Sequence, residues 1–179
     1  DIPKILALDP DLVLAFSDLQ ADIVADLVRA GVAVHVFNQR DVAGILAMIR
    51  SLGAMVGAAD RGERLAQGLE QRLAKIAATP RPTPRPKVYF EEWDEPLISG
   101  IGWVSELIEI AGGEDALPHL RAHKAARDRI VSADAVRAAM PDVILASWCG
   151  KKVVVDRIRA RGGWSDIPAV RNDRIVEIK

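Results

Sequence analysis

Two short segments repeat one another and constrain the fold more than any other feature of the chain. Pro10–Phe16 (PDLVLAF) resembles Pro141–Trp148 (PDVILASW). In each copy a proline–aspartate turn signal precedes a continuous aliphatic and β-branched run, which is typical of a parallel strand buried on both faces. A helical pattern and a second strand pattern follow each copy. The repeat therefore predicts two α/β lobes built from βαβ units.

A long helical region separates the two copies. An apolar stripe over residues 42–56 ends at Gly57, and a second helix is predicted from Asp60 to Thr79. Glu63, three residues after Asp60, makes a variant of the capping box. Residues 80–86 then place proline at alternate positions, which is typical of an extended and fairly stiff linker.

We therefore predict an α/β fold in which two Rossmann-like lobes with parallel sheets are joined by a single long helix. The N-terminal lobe is predicted at residues 1–59, and the connecting helix with its proline-rich linker at 60–86. The C-terminal lobe is predicted at residues 87–179.

Composition excludes several classes of protein. Half of the 179 residues are hydrophobic, so the chain is able to bury a core, and the formal net charge of −1 gives no field that would attract nucleic acid. The single cysteine, Cys149, excludes an intrachain disulfide. No apolar run approaches the length of a membrane-spanning helix.

Aromatic residues stand where the predicted strands end. Phe16, Trp93 and Trp148 each follow an apolar run, and ligands of open α/β sheets bind at the carboxyl ends of the strands. We predict a groove with Phe16 on one wall and Trp93 and Trp148 on the other, which suits a flat or macrocyclic ligand. Trp103, which opens a helix after Gly102, is a further candidate for ligand contact.

Polar residues near these strand ends are candidates for orienting a ligand. Glu92 and Lys151 are candidates for fixing its orientation, and Cys149 for a soft contact on the wall of the cleft rather than a nucleophile, since no histidine is close in sequence. Ser17 is either a ligand contact or, with Gln20, a capping box. Most of the acidic loop at 91–95 is expected to be solvated.

Three long segments carry a family resemblance. FEEWDEPLISGIGWVSELIEIAGGEDAL, ASWCGKK and GWSDIPAVRNDRIVEIK resemble the cobalamin-binding branch of the periplasmic-binding-protein-like family. That family includes the substrate-binding components of importers for vitamin B12, haem and iron siderophores. The resemblance covers essentially the whole chain and implies two α/β lobes joined by one rigid helix. It also implies that the chain is truncated at both ends and that its N-terminal lobe is incomplete.

The resemblance also implies a docking residue. Relatives dock on a membrane permease through one acidic residue on each lobe, and Asp134 stands at the matching position of the second lobe. Pro3 stands at the matching position of the first lobe and cannot form the second ion pair.

These observations predict a non-enzymatic, monomeric protein that captures a corrinoid in the cleft between its lobes, for an ABC importer. Ligand contacts are expected from Phe16, Ser17, Glu92, Trp93, Trp103, Trp148, Cys149 and Lys151. No catalytic residue and no resident cofactor are expected. No metal site is expected either, because His119 and His123 stand at helical spacing without a third ligand.

Two alternatives stay open for the function, and one for the location. The same fold would hold a ferric siderophore or haem, and a metal-dependent hydrolase would use the acidic loop. A binding protein for an importer works in the periplasm or anchored outside the cytoplasmic membrane. That location requires an export signal ahead of Asp1, and none is visible in the sequence, so the cytoplasm stays an alternative.

Overall fold

The computed structural model describes residues 1–179. The chain begins with helix α1 (Ile2–Leu6), strand β1 (Val13–Phe16), a 3-10 turn (Asp18–Gln20), helix α2 (Ala21–Arg29) and strand β2 (Val34–Phe37). The two strands pair in parallel, with Val13 opposite Val34 and Phe16 opposite Phe37. The predicted βαβ unit is confirmed, and we call residues 1–41 the N-terminal unit.

The prediction that β1 is buried on both faces is wrong. Leu14 and Phe16 are 43% and 47% exposed, whereas Val13 and Ala15 between them are half-buried. This alternation is typical of a sheet that is covered on one face only. The aliphatic run indicated a strand correctly, but how many faces are covered depends on what packs against it.

Two antiparallel helices follow, α3 (Val42–Met55) and α4 (Ala59–Ala77). They approach closely because two glycines meet: a Cβ on Gly53 would lie 3.0 Å from the Cα of Gly62. Arg50 of α3 pairs with Glu63 at 2.8 Å and Glu70 at 3.0 Å, both on α4. The predicted long helix is confirmed, but its capping box is not, since Glu63 reaches to Arg50 and α4 has no side-chain cap.

The C-terminal unit, residues 87–179, is built around a five-stranded sheet. Its strands are β3 (Lys87–Asp94), β4 (Leu97–Ser99), β5 (Glu114–Asp115), β6 (Val143–Ala146) and β7 (Ile175–Glu177). β3, β6 and β7 are parallel neighbours, β5 pairs in parallel with the start of β3, and β4 returns antiparallel on the outer edge of β3. The predicted parallel sheet is confirmed, and the β3–β4 hairpin is an addition that the repeat did not indicate.

Helices cover both faces of this sheet. They are α5 (Gly102–Ile110), α6 (Ala133–Ala139), α7 (Val155–Arg159) and α8 (Pro168–Arg171), with 3-10 turns at Pro118–Leu120 and Ala126–Arg129. The main core contains 13 buried residues, including the fully buried Trp164, Ile158 and Val136. A smaller cluster of Val88, Val104 and Ile108 packs beneath α5. None of the helices combines the length and the hydropathy that a bilayer crossing requires.

Candidate functional site

The parallel pairing of β3 and β6 brings two distant segments to one edge of the sheet. Glu91 lies opposite Ala146, so the acidic segment at the end of β3 stands beside residues 147–151 at the end of β6. The carboxyl ends of β1 and β2 form a corresponding edge of the N-terminal unit, with Phe16 opposite Phe37. These two edges carry most of the residues that the sequence singled out.

Lys151 occupies the centre of the edge in the C-terminal unit. Its ammonium lies 4.1 Å from the ring centre of Trp93 and 5.2 Å from that of Trp148, within the range of a cation–π interaction. It also forms an ion pair with the buried carboxylate of Asp94, and Arg157 lies 3.6 Å from the same carboxylate. This end of the sheet therefore presents the half-buried ring of Trp93 beside a positive charge, rather than a bare hydrophobic wall.

The ionisation of Asp94 is set by two opposing effects. Burial raises the pKa of this carboxyl, but the contact with Lys151, and to a lesser extent the charge of Arg157, outweigh it, and the net pKa is lowered. A carboxyl whose pKa is lower in the folded state adds stability that is fully present above its unfolded pKa of about 4 and disappears as the pH falls through the folded value.

Replacing Asp94 by asparagine should therefore flatten the acid limb of the stability profile. We expect the wild type to lose stability relative to Asp94→Asn as the pH is lowered from 5 to 2, because only the wild type loses a charged carboxylate there. Urea unfolding at a series of pH values would measure the difference. If the difference in the free energy of unfolding between the two proteins stays constant from pH 5 to 2, the claim that Asp94 is ionised in the folded protein with a lowered pKa is wrong.

The structure corrects the expectation for Trp148. Its ring is 4% exposed, belongs to the main core, and its Nε1–H donates to Oε1 of Glu91 at 3.0 Å. A ring held in this way has no free face for stacking. The sequence placed Trp148 correctly at the end of a strand but could not determine on which side of the sheet its ring would pack.

The expectation of a largely solvated acidic loop is also wrong. Glu91 is fully buried and forms a two-point ion pair with Arg161, and Asp94 is 5% exposed. Glu92 receives hydrogen bonds from the buried Arg129 at 2.6 and 3.3 Å. Only Glu95 has a highly exposed side chain, at 81%. Each of these acids has a basic partner, and the attraction between the paired charges offsets the desolvation cost on which the prediction relied.

The remaining candidates of the C-terminal unit have different surroundings. Trp93 is half-buried, and its Nε1–H donates to the carbonyl of Glu95 at 2.8 Å. Trp103 packs against the small cluster beneath α5. Cys149 is exposed at the end of β6. Trp93 and Cys149 therefore lie at the carboxyl ends of the strands. Trp103 instead packs on the face of the sheet that α5 covers.

The edge of the N-terminal unit carries Phe16 and a residue that the sequence did not single out. The guanidinium of Arg40 lies 5.5 Å from the ring centre of Phe16 and 3.3 Å from Asp18. Ser17 is 6% exposed with a φ of 65°, and its Oγ accepts from the N–H of Leu19 at 3.3 Å. Ser17 thus caps the 3-10 turn, but the predicted capping box does not form, because Oε1 of Gln20 accepts from the N–H of Phe16 rather than from that of Ser17. The signal that could have indicated Arg40 was its position just after a strand end.

Two further features concern the wider surface. Asp134 lies in the first turn of α6 with a side chain 81% exposed, paired only with Arg137 at 3.0 Å. No group of three or more histidine, cysteine or acidic side chains is arranged to hold a metal ion. A concavity of about 380 Å³ with a mainly apolar lining lies between α3 and α4, away from the strand ends.

Comparison with known proteins gives one consistent family. The family model described as periplasmic binding protein matches residues 1–179. An uncharacterised ABC transporter substrate-binding lipoprotein, YvrC of Bacillus subtilis (strain 168), is 25% identical over an alignment of 192 positions, which covers 99% of this chain and 57% of the relative. The chain thus spans little more than half the length of that relative.

Many solved structures share the fold, and two of them illustrate the similarity. The periplasmic haem-binding protein RhuT from Roseiflexus sp. RS-1, in its apo form, superposes with a TM-score of 0.79 at 26% identity, over 99% of this chain and 70% of RhuT. The periplasmic vitamin B12-binding protein BtuF of Vibrio cholerae superposes with a TM-score of 0.70 at 22% identity, over 99% of this chain and 68% of BtuF. The second similarity, at this identity, supports the fold alone.

Proposed function

Because the chain belongs to the periplasmic binding protein family, we propose that it captures a corrinoid between its two strand-end edges and delivers it to an ABC importer. The observation that carries this proposal is the position of Phe16 and Trp93. Each lies at the carboxyl end of a parallel strand, the first 47% exposed and the second half-buried. Each also has a cationic side chain over its ring. Aromatic faces with a few fixed polar groups are what binding sites for large flat ligands require.

Capture would use these groups in two ways. A macrocycle that stacks on Trp93 takes the place that the Lys151 ammonium now holds over the ring, and the ion pair with Asp94 keeps that ammonium at the edge of the site. From there Lys151 can donate to carbonyl or carboxylate oxygens on the ligand periphery. Arg40 has the same relation to Phe16 and Asp18 on the opposite wall. Glu92 and Cys149 complete the proposed site from the same segments.

Haem is the second candidate, and one observation favours it. The similarity to a haem-binding protein, RhuT, is the stronger of the two structural similarities described above. Basic side chains beside aromatic rings also suit a flat ligand that carries carboxylates. A metal-dependent hydrolase is disfavoured, because the three acids at the end of β3 are paired with Lys151, Arg161 and Arg129 and have little capacity left for a cation.

Ligand titration tests the proposal directly. The full chain would be titrated separately with cyanocobalamin and with haemin, with absorbance and calorimetry as readouts. We expect saturable one-to-one binding of the corrinoid with a Kd below about 10 μM, which corresponds to roughly 7 kcal/mol. Tight binding of haemin alone would transfer the proposal to haem. Failure of both ligands to bind at tens of micromolar would overturn the proposal of a tetrapyrrole-like ligand.

Replacing Trp93 by alanine should weaken this binding about 10- to 100-fold, because a stacked aromatic anchor contributes roughly 1.5–3 kcal/mol. Trp93→Phe keeps an aromatic face and serves as the matched control, with a loss of only a few-fold. Calorimetric Kd values for the three proteins, with circular dichroism to confirm folding, give the comparison. An unchanged Kd for Trp93→Ala would remove this residue from the site.

We also propose an extracytoplasmic location and a docking role for Asp134. The lipoprotein relative supports the location. The ion pair of Asp134 with Arg137 spans three residues on an exposed helix surface, where such a pair contributes less than about 1 kcal/mol. Asp134 is therefore available to an arginine of a permease. We expect cells that carry Asp134→Asn to take up less ligand, whereas the purified variant binds the ligand as the wild type does. Measuring uptake and binding for both proteins would test this role.

A further inference from the structure

One contact between the N-terminal and C-terminal units is unusually close. The segment after β2 meets the first turn of α5 at Gly102, where a Cβ would lie 3.1 Å from the carbonyl oxygen of Arg40 and 3.1 Å from that of Arg121. Both neighbours are backbone atoms, which cannot rotate aside as a side chain can. The spacing of the two units at this point therefore depends on a residue without a side chain.

Glu106 ties the same two segments together one helical turn further along α5. Its Oε2 accepts the N–H of Val42 at 2.8 Å, and Val42 is the first residue of α3. The first N–H groups of a helix have no partner within the helix, and a carboxylate is favourable at that end. Glu106 thus attaches the chain segment that follows β2 to the C-terminal unit.

Arg121 and Glu109 complete this region without crossing between the units. Arg121 pairs with Glu106 at 3.5 Å and binds both carboxylate oxygens of Glu109 at 2.9 and 3.1 Å. Glu109 lies on the same helix as Glu106 and shares its arginine, but its hydrogen bonds and ion pairs stay within the C-terminal unit. It lacks the contact with α3 that Glu106 makes, and this makes it a suitable control.

We propose that Gly102 and Glu106 form a joint that fixes the separation of the two units and hence the width of the cleft. Phe16 lies opposite Phe37 at the end of β2, and the chain runs from there to Arg40 and Val42 within five residues. A displacement at the joint therefore moves Phe16 relative to Trp93. Gly102 and Glu106 are positioning residues, and only the consequence for ligand affinity rests on the proposed function.

The native cysteine allows the separation to be measured without ligand. Cys149 is exposed at the edge of the C-terminal unit, and Leu19 is 84% exposed just after Phe16 in the N-terminal unit. Leu19→Cys therefore adds the second of two spin-label sites, and double electron–electron resonance gives the distance distribution between the units. All joint variants would be made in this labelled background for the distance measurements, and in the unlabelled wild-type background for ligand titration, because Cys149 belongs to the proposed site.

Two joint variants should change that distribution. Glu106→Ala removes the hydrogen bond to Val42 and should broaden the distribution, whereas Gly102→Val inserts a side chain between two backbone segments and should shift the distribution to longer distances. Glu106→Gln keeps an oxygen that can accept from Val42 and should stay near the wild type. Glu109→Ala and Gly68→Val are the controls, and Gly68 has open space where its Cβ would be.

The possible results distinguish failure of the proposed joint from failure of the proposed function. Equal broadening by Glu106→Ala and Glu109→Ala, or unchanged distributions for both Glu106→Ala and Gly102→Val, would overturn the joint. If Gly102→Val fails to fold, Gly102→Ala replaces it, with a smaller shift in the same direction. Altered distances in a protein that binds neither cyanocobalamin nor haemin would support the joint while rejecting the ligand. Where a ligand does bind, we expect Glu106→Ala to weaken it several-fold and Glu109→Ala to leave it unchanged.

Discussion

Glu91→Ala is expected to destabilise the protein by about 3–5 kcal/mol, the cost of removing one partner of a buried ion pair. Glu91 is fully buried, accepts from both terminal guanidinium nitrogens of Arg161, and accepts from the indole N–H of Trp148. Alanine leaves the arginine charge and the indole donor without a partner inside the protein. Equilibrium unfolding in urea, followed by tryptophan fluorescence, measures the loss.

Two variants at and near this position make the test specific. Glu91→Gln keeps one acceptor oxygen but turns an amide NH2 towards Arg161, so an intermediate loss of roughly 1–3 kcal/mol is expected. Glu95→Ala removes a highly exposed acid four residues away and should change stability by no more than about 0.5 kcal/mol. A loss below about 1 kcal/mol for Glu91→Ala would show that Arg161 finds water or another partner, and that Glu91 does not hold this end of the sheet.

Trp164→Ala should have an effect of similar size, about 3–5 kcal/mol, because it empties the largest fully buried side chain of the main core. The Trp164 ring packs edge-on against Tyr89 at 6.5 Å and lies 4.6 Å from the guanidinium carbon of Arg161. The cavity and the loss of both ring contacts each lower the free energy of unfolding. The free energy of unfolding in urea is again the measured quantity.

Trp164→Phe separates ring volume from the indole N–H. The Nε1–H of Trp164 is buried and no protein atom accepts a hydrogen bond from it, so phenylalanine removes this donor together with part of the ring. We therefore expect Trp164→Phe to cost less than half as much as Trp164→Ala. Equal losses for the two variants would mean that the indole nitrogen has a partner, such as a bound water, that stabilises the native state.

Patterns along the chain determined the elements and their class. The paired proline–aspartate strands, the alternating prolines and the apolar stripe of α4 each depend on neighbouring residues, and periodicity reports those directly. Phe16 and Trp93 could be placed at strand ends for the same reason. Their exposure was a prediction from position, and the structure leaves both rings partly accessible.

The acidic segment shows what such local patterns cannot predict. A run of four carboxylates in five residues is typical of a solvated loop, yet Glu91, Glu92 and Asp94 pair with bases 70, 37 and 57 residues away in the sequence. Nothing in the sequence around their partners, Arg161, Arg129 and Lys151, distinguishes them from the other basic residues. Pairing across such separations depends on which strands become neighbours, and this emerges only when the sheet assembles.

The sequence by itself thus determined the two α/β units, the long helix between them and the strand ends where aromatic residues gather. Hydrophobic period and turn chemistry are local, and they act before any tertiary contact forms. Only the tertiary structure decided that Trp148 faces the core, that Lys151 covers Trp93, and that Gly102 and Glu106 connect the units. Those outcomes depend on the packing of side chains and the pairing of charges that are distant in the chain, where burial and geometry determine the energy.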